Sequence, residues 1–148
     1  MDRRLTAILV ADVVGFSRLM GKDEAGTLTA VKGPWTELFG PRVTEYRGRI
    51  VKLMGDGALV EFSSVVDAVE CAIVAQRDAG DRNSESAADE RIEMRIGINL
   101  GDLIIEGDDI YGDGVNVAAR VETLAKPGGV ALSATAYEHA AGKVGAEF

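Results

Sequence analysis

Residues 50–62, IVKLMGDGALVEF, constrain the fold more than any other stretch. Two apolar runs flank Met54-Gly55-Asp56-Gly57, and an Asp-Gly pair between such runs is a strong β-hairpin signal. A hairpin commits the chain to an antiparallel pair whose apolar face other elements must cover. Residues 5–11, LTAILVA, form a nearly continuous apolar run of strand length, which suits a central strand. That run ends at Asp12 and is followed by the turn-prone Gly15.

Helical patterns fill the intervals. Leu28, Val31, Trp35 and Leu38/Phe39 fall at helical spacing within 23–47, with Gly33-Pro34 expected to kink or split the helix. Gly33-Pro34 has no functional account. Val65 to Ala79 predicts a helix with Val66, Val69, Ala72 and Ile73 on one side, and 80–91 reads as a polar loop, the expected site of mobility. IEMRIGI, 92–98, alternates as a strand, and LIIE, 103–106, reads as a second strand after Leu100-Gly101-Asp102. Asp113-Gly114 opens a helix to about Leu124, stopped by Lys126-Pro127-Gly128-Gly129. VALS is a short strand and 134–142 a last helix. The order β-α-β-β-α-β, with C-terminal additions, predicts an α+β chain with a ferredoxin-like split βαβ core. At 148 residues and 47% hydrophobic composition, one domain spans 1–148. Fold alone assigns no function.

Charge narrows the partners. The formal net charge is −8, and no basic cluster is dense enough to grip a nucleic-acid backbone. A polyanionic substrate would need metal cations to receive it. The single cysteine, Cys71, excludes an intrachain disulfide, favours a reducing compartment and reads as a buried structural thiol. The N-terminal arginines and LTAILVADVVGF imitate a signal peptide, but Asp12 interrupts the run and no cleavage pattern follows. No apolar run approaches the roughly 18 residues of a membrane helix. The expectation is a soluble cytoplasmic domain without a membrane segment.

Asp12 alone reads as a turn or helix cap, and Asp56 alone as a turn residue tolerant of positive φ. Together they say more, because in a split βαβ sheet the end of the first strand and the hairpin tip can share one edge. Two carboxylates there make a hard oxygen site suited to Mg2+ or Mn2+. Two metals sharing such carboxylates can hold a triphosphate and activate an attacking oxygen. The loop Val13-Val14-Gly15-Phe16-Ser17 follows, with backbone N–H groups that could face phosphate oxygens. In DIYGDGVNVAAR, 109–120, Val117, Val121 and Leu124 read as the core stripe of the helix and Asp113 as its cap. Asn116 and Arg120 form an i, i+4 pair on an adjoining face. Flanked by Ala119 and Val121, Arg120 reads as a semi-buried cation or part of a partner surface, able to stabilise charge on a transferring phosphoryl group.

Three motifs, ADVVGFS at 11–17, KLMGDG at 52–57 and DIYGDGVNVAAR at 109–120, together resemble the catalytic domain of class III nucleotidyl cyclases of the bacterial adenylate cyclase kind. The resemblance runs from about Leu5 to Tyr137. It implies that Asp12 and Asp56 bind two Mg2+ or Mn2+ ions, with the Val13 carbonyl as an extra ligand. It implies that Lys52 contacts adenine, that Asp109 accepts from the exocyclic amine, that Asn116 orients the ribose and that Arg120 stabilises the transition state. It also implies a homodimer, one chain supplying the aspartates and its partner the base-reading and transition-state residues. Lys52 with Asp109 suits ATP, since adenine offers an acceptor at N1 and donors at N6, whereas guanine presents the opposite pattern. The implied reaction is attack of the ribose 3′ oxygen on the α-phosphorus, giving cyclic AMP and pyrophosphate.

Two departures stand out. Gly101 to Asp108 is short and acidic where family members carry a longer segment with a basic residue near the phosphates. Family domains also continue into further strands, with a triphosphate-contacting lysine there, so the expectation is that final C-terminal strands lie past Phe148. Regulatory domains, usual in the family, would lie outside this chain. The rival reading is a non-catalytic nucleotide-binding or dimerisation module of the same fold, although such copies usually lose a metal aspartate or the arginine, and both are present. Guanylate cyclase is disfavoured by Lys52 and Asp109, and the GGDEF signature of diguanylate cyclases is absent.

Overall fold

Strand β1 (Asp2–Val13) lies inside the sheet and pairs antiparallel on both sides. A computed structural model of the chain describes residues 2–54, 56–85, 91–107 and 109–144, and, within these, not the side chains of Asp2, Ser17, Pro34 and Met54. The hairpin β2 (Arg49–Met54) and β3 (Gly57–Phe62) joins one side of β1, and β4 (Met94–Glu106) joins the other. The outer edge of β4 carries β5 (Asp109–Tyr111) antiparallel at one end and β6 (Val130–Leu132) parallel at the other. The strand order is β2-β3-β1-β4-β5.

Alternation along β1 builds two cores. Ala7, Leu9, Ala11 and Val13 face the main core, with Ala58, Val60, Phe62, Ile96 and Ile98 from neighbouring strands. Helix α4 (Val65–Ser84) covers this face with Ala68, Val69, Ala72 and Ala75, and α6 (Ala134–Ala140) adds Ala136 and Ala140. The segment after β1 supplies the rest: α1 (Phe16–Lys22), α2 (Glu24–Gly33), a π-helical turn (Pro34–Phe39) and α3 (Gly40–Glu45). Ile8 faces the opposite side, where it packs with Leu59, Leu103, Ile110 and Ala118 of α5 (Asp113–Glu122). Among the described residues no helix is long and apolar enough to cross a membrane. Cys71 is free and buried, and burial, the largest influence, pushes its thiol up to about 12, as suits a structural thiol.

Several expectations change. The kink at Gly33-Pro34 is a π-helical turn, which accommodates a proline lacking an N–H and stacks Trp35 edge-on against Phe39 at 5.4 Å. Leu28, expected in the core, is 45% exposed, because Val31, Trp35 and Phe39 take the inward positions. Helix α4 runs five residues past Ala79 into the segment read as a loop; residues 86–90 of that segment lie outside the described residues. No turn separates 92–98 from 103–106: β4 is one strand that pairs with β1 along its whole length, with Gly101 opposite Thr6. The acidic segment 101–108 is therefore mostly strand.

The stripe on α5 is also different. Gly114, Ala118 and Glu122 are buried, whereas Val117 and Val121 are half-buried and Leu124 is 79% exposed. The helix lies too close to the sheet for large residues. A Cβ on Gly97 would sit 2.3 Å from the Glu122 nitrogen, and one on Gly101 would sit 3.4 Å from the Gly114 Cα. Asp113 does not cap the helix; Gly112 holds the N-cap position and offers no side chain.

Candidate functional site

Asp12 stands one residue from the end of β1, opposite Gly57 on one side and Arg95 on the other. Two residues beyond Val10, its side chain takes the α5 face. The hairpin tip is tied to the same place, since the Val13 N–H donates to the Asp56 carbonyl at 2.7 Å. Asp12 and Asp56 thus meet at one sheet edge, as expected. Asp12 Oδ1 is buried and receives no hydrogen bond. A third carboxyl, unassigned in the sequence reading, joins them. Glu122 is 4% exposed on the last turn of α5, and its Oε1, like Asp12 Oδ1, is buried without a hydrogen-bond partner. Burial, then the proximity of Asp12, pushes its carboxyl up to about 8, with the charge of Asp56 adding to the effect. Arg95 acts in the opposite sense, while its Nε donates to the Ala125 carbonyl at 3.0 Å. Among the described residues no three His, Cys, Asp or Glu side chains converge closely enough to hold one ion. The chemistry of Asp12 and Asp56, hard oxygens with one buried oxygen lacking a donor, still fits a small divalent cation.

The following loop contributes less backbone than expected. The Val13 and Val14 N–H groups are consumed by the Asp56 and Glu93 carbonyls. Gly15, with φ 68°, turns the chain into α1, so that Gly15, Phe16 and Ser17 carry the N–H groups without helical partners. Phe16 packs its ring against the main core. The Ser17 side chain lies outside what is described.

Lys52 owes its position to a β-bulge. Ile50 faces the main core, and Lys52, two residues on, would do the same in a regular strand. The register shift between them places Lys52 opposite Leu59, on the α5 face. There its Nζ lies 3.4 Å from Asp109 Oδ2. Through Leu59 and Val10, Lys52 is level with Gly97 on β4, whereas Asp109 pairs with Glu106. A flat sheet would put those positions about 30 Å apart at ~3.3 Å per residue. The far end of β4 and β5 therefore curl over the sheet face, and Ile110 packs with Leu59 to seal the curl. The Ile110 N–H donates to Asp109 Oδ1 at 2.8 Å; this bond, more than nearby Lys52, holds the Asp109 carboxyl below its ordinary range.

Asn116 and Arg120 lie on the exposed face of α5. The Arg120 side chain is 74% exposed, not semi-buried, and its Nη2 lies 3.8 Å from Asp113 Oδ1. Positions 120 and 122 are about 200° apart around the helix, so Arg120 points away from Asp12 while Glu122 points at it. The structure therefore brings together Asp12 with Asp56, and Lys52 with Asp109, but does not bring Arg120 to the aspartates of its own chain. A groove of about 900 Å3 lined by Val69, Ile73, Val130, Leu132 and Tyr137 lies on the main-core side, away from these residues.

Residues 3–147 match the model of the adenylate and guanylate cyclase catalytic domain family. A Rhizobium meliloti protein named "Putative adenylate cyclase 3" is 49% identical over 146 residues, which is 99% of this chain. The chain spans 25% of that relative's length. The crystal structure of an adenylate/guanylate cyclase/hydrolase from Silicibacter pomeroyi superposes with a TM-score of 0.93 at 41% identity, covering 99% of this chain and 86% of that one. The guanylyl cyclase Cya2 superposes with a TM-score of 0.81 at 27% identity, covering 94% and 79%.

Proposed function

The chain belongs to the adenylate and guanylate cyclase catalytic domain family, and we propose that it forms cyclic AMP and pyrophosphate from ATP at sites shared between two copies of the chain. The observation that carries the choice of base is the Lys52–Asp109 pair, 3.4 Å apart on one sheet face. An ionised Asp109 only accepts hydrogen bonds, which suits the adenine exocyclic amine, and the Lys52 ammonium only donates, which suits adenine N1. Guanine would set its O6 against Asp109 and its N1–H against Lys52, leaving both unpaired. Strand order β2-β3-β1-β4, with neighbours antiparallel, supports reading the core as the split βαβ arrangement.

Asp12, Asp56 and the Val13 carbonyl would hold two Mg2+ or Mn2+ ions at the sheet edge. Those ions would lower the pKa of the ribose 3′-hydroxyl and neutralise the triphosphate. N–H groups of Gly15, Phe16 and Ser17 are placed to meet phosphate oxygens where α1 begins. From the second copy, Asn116 orients the ribose and Arg120 stabilises charge as the 3′ oxygen bonds to the α-phosphorus and the bond to pyrophosphate breaks. The outward direction of Arg120, 74% exposed and turned away from Asp12 of its own chain, supports this division.

Purified protein incubated with Mn2+ and either ATP or GTP tests the reading. Cyclic AMP and pyrophosphate in equal amounts, lost in Asp12→Ala, is the expected result. Product from GTP but not ATP would overturn the base assignment, and no product from either, with a folded dimer demonstrated, would favour the non-catalytic module.

A further inference from the structure

We propose that Arg18 binds the outer phosphates of the substrate, and is the basic residue for the triphosphate that the acidic segment 101–108 does not supply. The inference rests on the cyclase reading above and adds to it a residue outside the expected set. Two divalent cations neutralise a triphosphate but leave the charges of Asp12 and Asp56 unbalanced at the same edge. A cation from the protein has to make up the difference, and most of those nearby are engaged. Arg95, the cross-strand neighbour of Asp12, donates its Nε to the Ala125 carbonyl at 3.0 Å. Lys52 faces Asp109, and Arg120 lies back toward Asp113. Arg18 is the first cation along the chain after Asp12, and among the described residues it has neither an ion pair nor a hydrogen bond.

The Arg18 side chain is exposed, yet it folds back over the loop before α1, the direction a helical side chain favours. Its Nη2, Nε and Cζ lie 3.4, 3.8 and 3.9 Å from the position that a Cβ on Gly15 would take. Gly15, with φ 68°, is the residue that turns the chain out of β1. Two residues earlier, the Val13 N–H is bonded to the Asp56 carbonyl at 2.7 Å, which ties the hairpin tip to the same loop. The guanidinium thus stands over the connection between the two aspartates and α1, with its donors unused. A planar fork of N–H donors matches phosphate oxygens two at a time, which an ammonium does not. As the bond to pyrophosphate breaks, its electron pair leaves with the pyrophosphate, and Arg18 offsets the charge that builds there.

The test is binding of inorganic tripolyphosphate to the intact chain with Mn2+, measured by titration calorimetry, for wild type, Arg18→Ala, Arg18→Lys and Lys52→Ala. Arg18→Ala should weaken tripolyphosphate by about tenfold or more, as loss of a hydrogen-bonded charge does, with the urea midpoint unchanged. Arg18→Lys keeps the charge without the fork and should fall between the two. Lys52→Ala should bind tripolyphosphate as wild type does, because Lys52 is assigned to the base. In turnover, Arg18→Ala should raise the KM for ATP and weaken inhibition by pyrophosphate by a similar factor. Tripolyphosphate affinity within about twofold of wild type in Arg18→Ala would overturn the proposal, since a phosphate contact is worth more than that. Equal loss in Lys52→Ala would also overturn it, by showing diffuse attraction in place of a site, as would absence of tripolyphosphate binding by wild type. Failure of the cyclase reading looks different: wild type would give no cyclic product from ATP or GTP, while tripolyphosphate binding that depends on Arg18 would still support a phosphate site there.

Discussion

Glu61 shows how a buried charge is kept ionised on the open part of the sheet. Burial is the largest influence on its carboxyl and favours the neutral acid. Arg49 at 2.7 Å and Arg4 at 2.8 and 2.9 Å together outweigh burial and hold the carboxyl below its ordinary 4.5. A carboxylate depressed on folding stabilises above its unfolded pKa and loses that stabilisation as pH falls through its folded pKa. The contribution should be whole above about pH 5 and fade below the ordinary value of 4.5. Both arginines are about half exposed, so solvent screening trims the gain. Glu61→Gln should lower stability by about 1–2 kcal/mol at pH 7 and flatten the acid limb. Urea unfolding at pH 7, 4 and 3 measures both effects.

The contact between α5 and β4 is built from small residues on both sides. Gly97 and Gly101 lie four apart on one face of the strand, and Gly114 and Ala118 lie four apart on the helix above them. Gly97→Ala would drive a methyl into backbone that cannot yield, and should cost about 2–4 kcal/mol while displacing Glu122 and lowering activity. Gly80→Ala on α4, where a Cβ meets nothing within 4 Å, should instead stabilise by about 0.5–1 kcal/mol. Urea midpoints of the two variants decide it. This seam was the least legible part of the sequence. A glycine beside an aspartate at 101–102 carries the signature of a turn, and only the helix overhead reveals a glycine of close approach. The larger valines drew the predicted core stripe to the wrong side of α5, and Glu122 drew no assignment at all. The matched four-residue spacing of small residues in strand and helix was the available signal. By contrast, the hairpin, the central strand and the edge shared by Asp12 and Asp56 were readable, because Asp-Gly turns and unbroken apolar runs depend on local chemistry. The bulge that turns Lys52 over was not, since a register shift leaves no mark in an apolar strand.

At the scale of the molecule, one chain holds both halves of the proposed site but holds them apart. Asp12 and Asp56 occupy the edge below the end of α5, while Asn116 and Arg120 face outward from the same helix, Arg120 about 200° around its axis from Glu122. Rotating α5 to bring Arg120 inward would expel Glu122 and break the seam with Gly97 and Gly101, so no small rearrangement within a chain unites them. The proposed two-fold dimer would solve this, because each copy could receive what the other presents, and such a dimer would contain two equivalent sites. An Asp12→Ala chain keeps Arg120, and an Arg120→Ala chain keeps Asp12, so a mixed dimer combines both defects in one site and leaves the other intact. Random exchange of equal amounts makes half the dimers mixed, each with one site of two, so the mixture should recover roughly a quarter of wild-type activity per chain. Each variant alone should be inactive at wild-type stability, checked by turnover and urea midpoint. At fixed total chain, the recovered rate should follow the product of the two mole fractions, with its maximum at equal amounts. Mixing demonstrated by mass, with no recovered cyclic AMP, would show that each site is completed within a single chain.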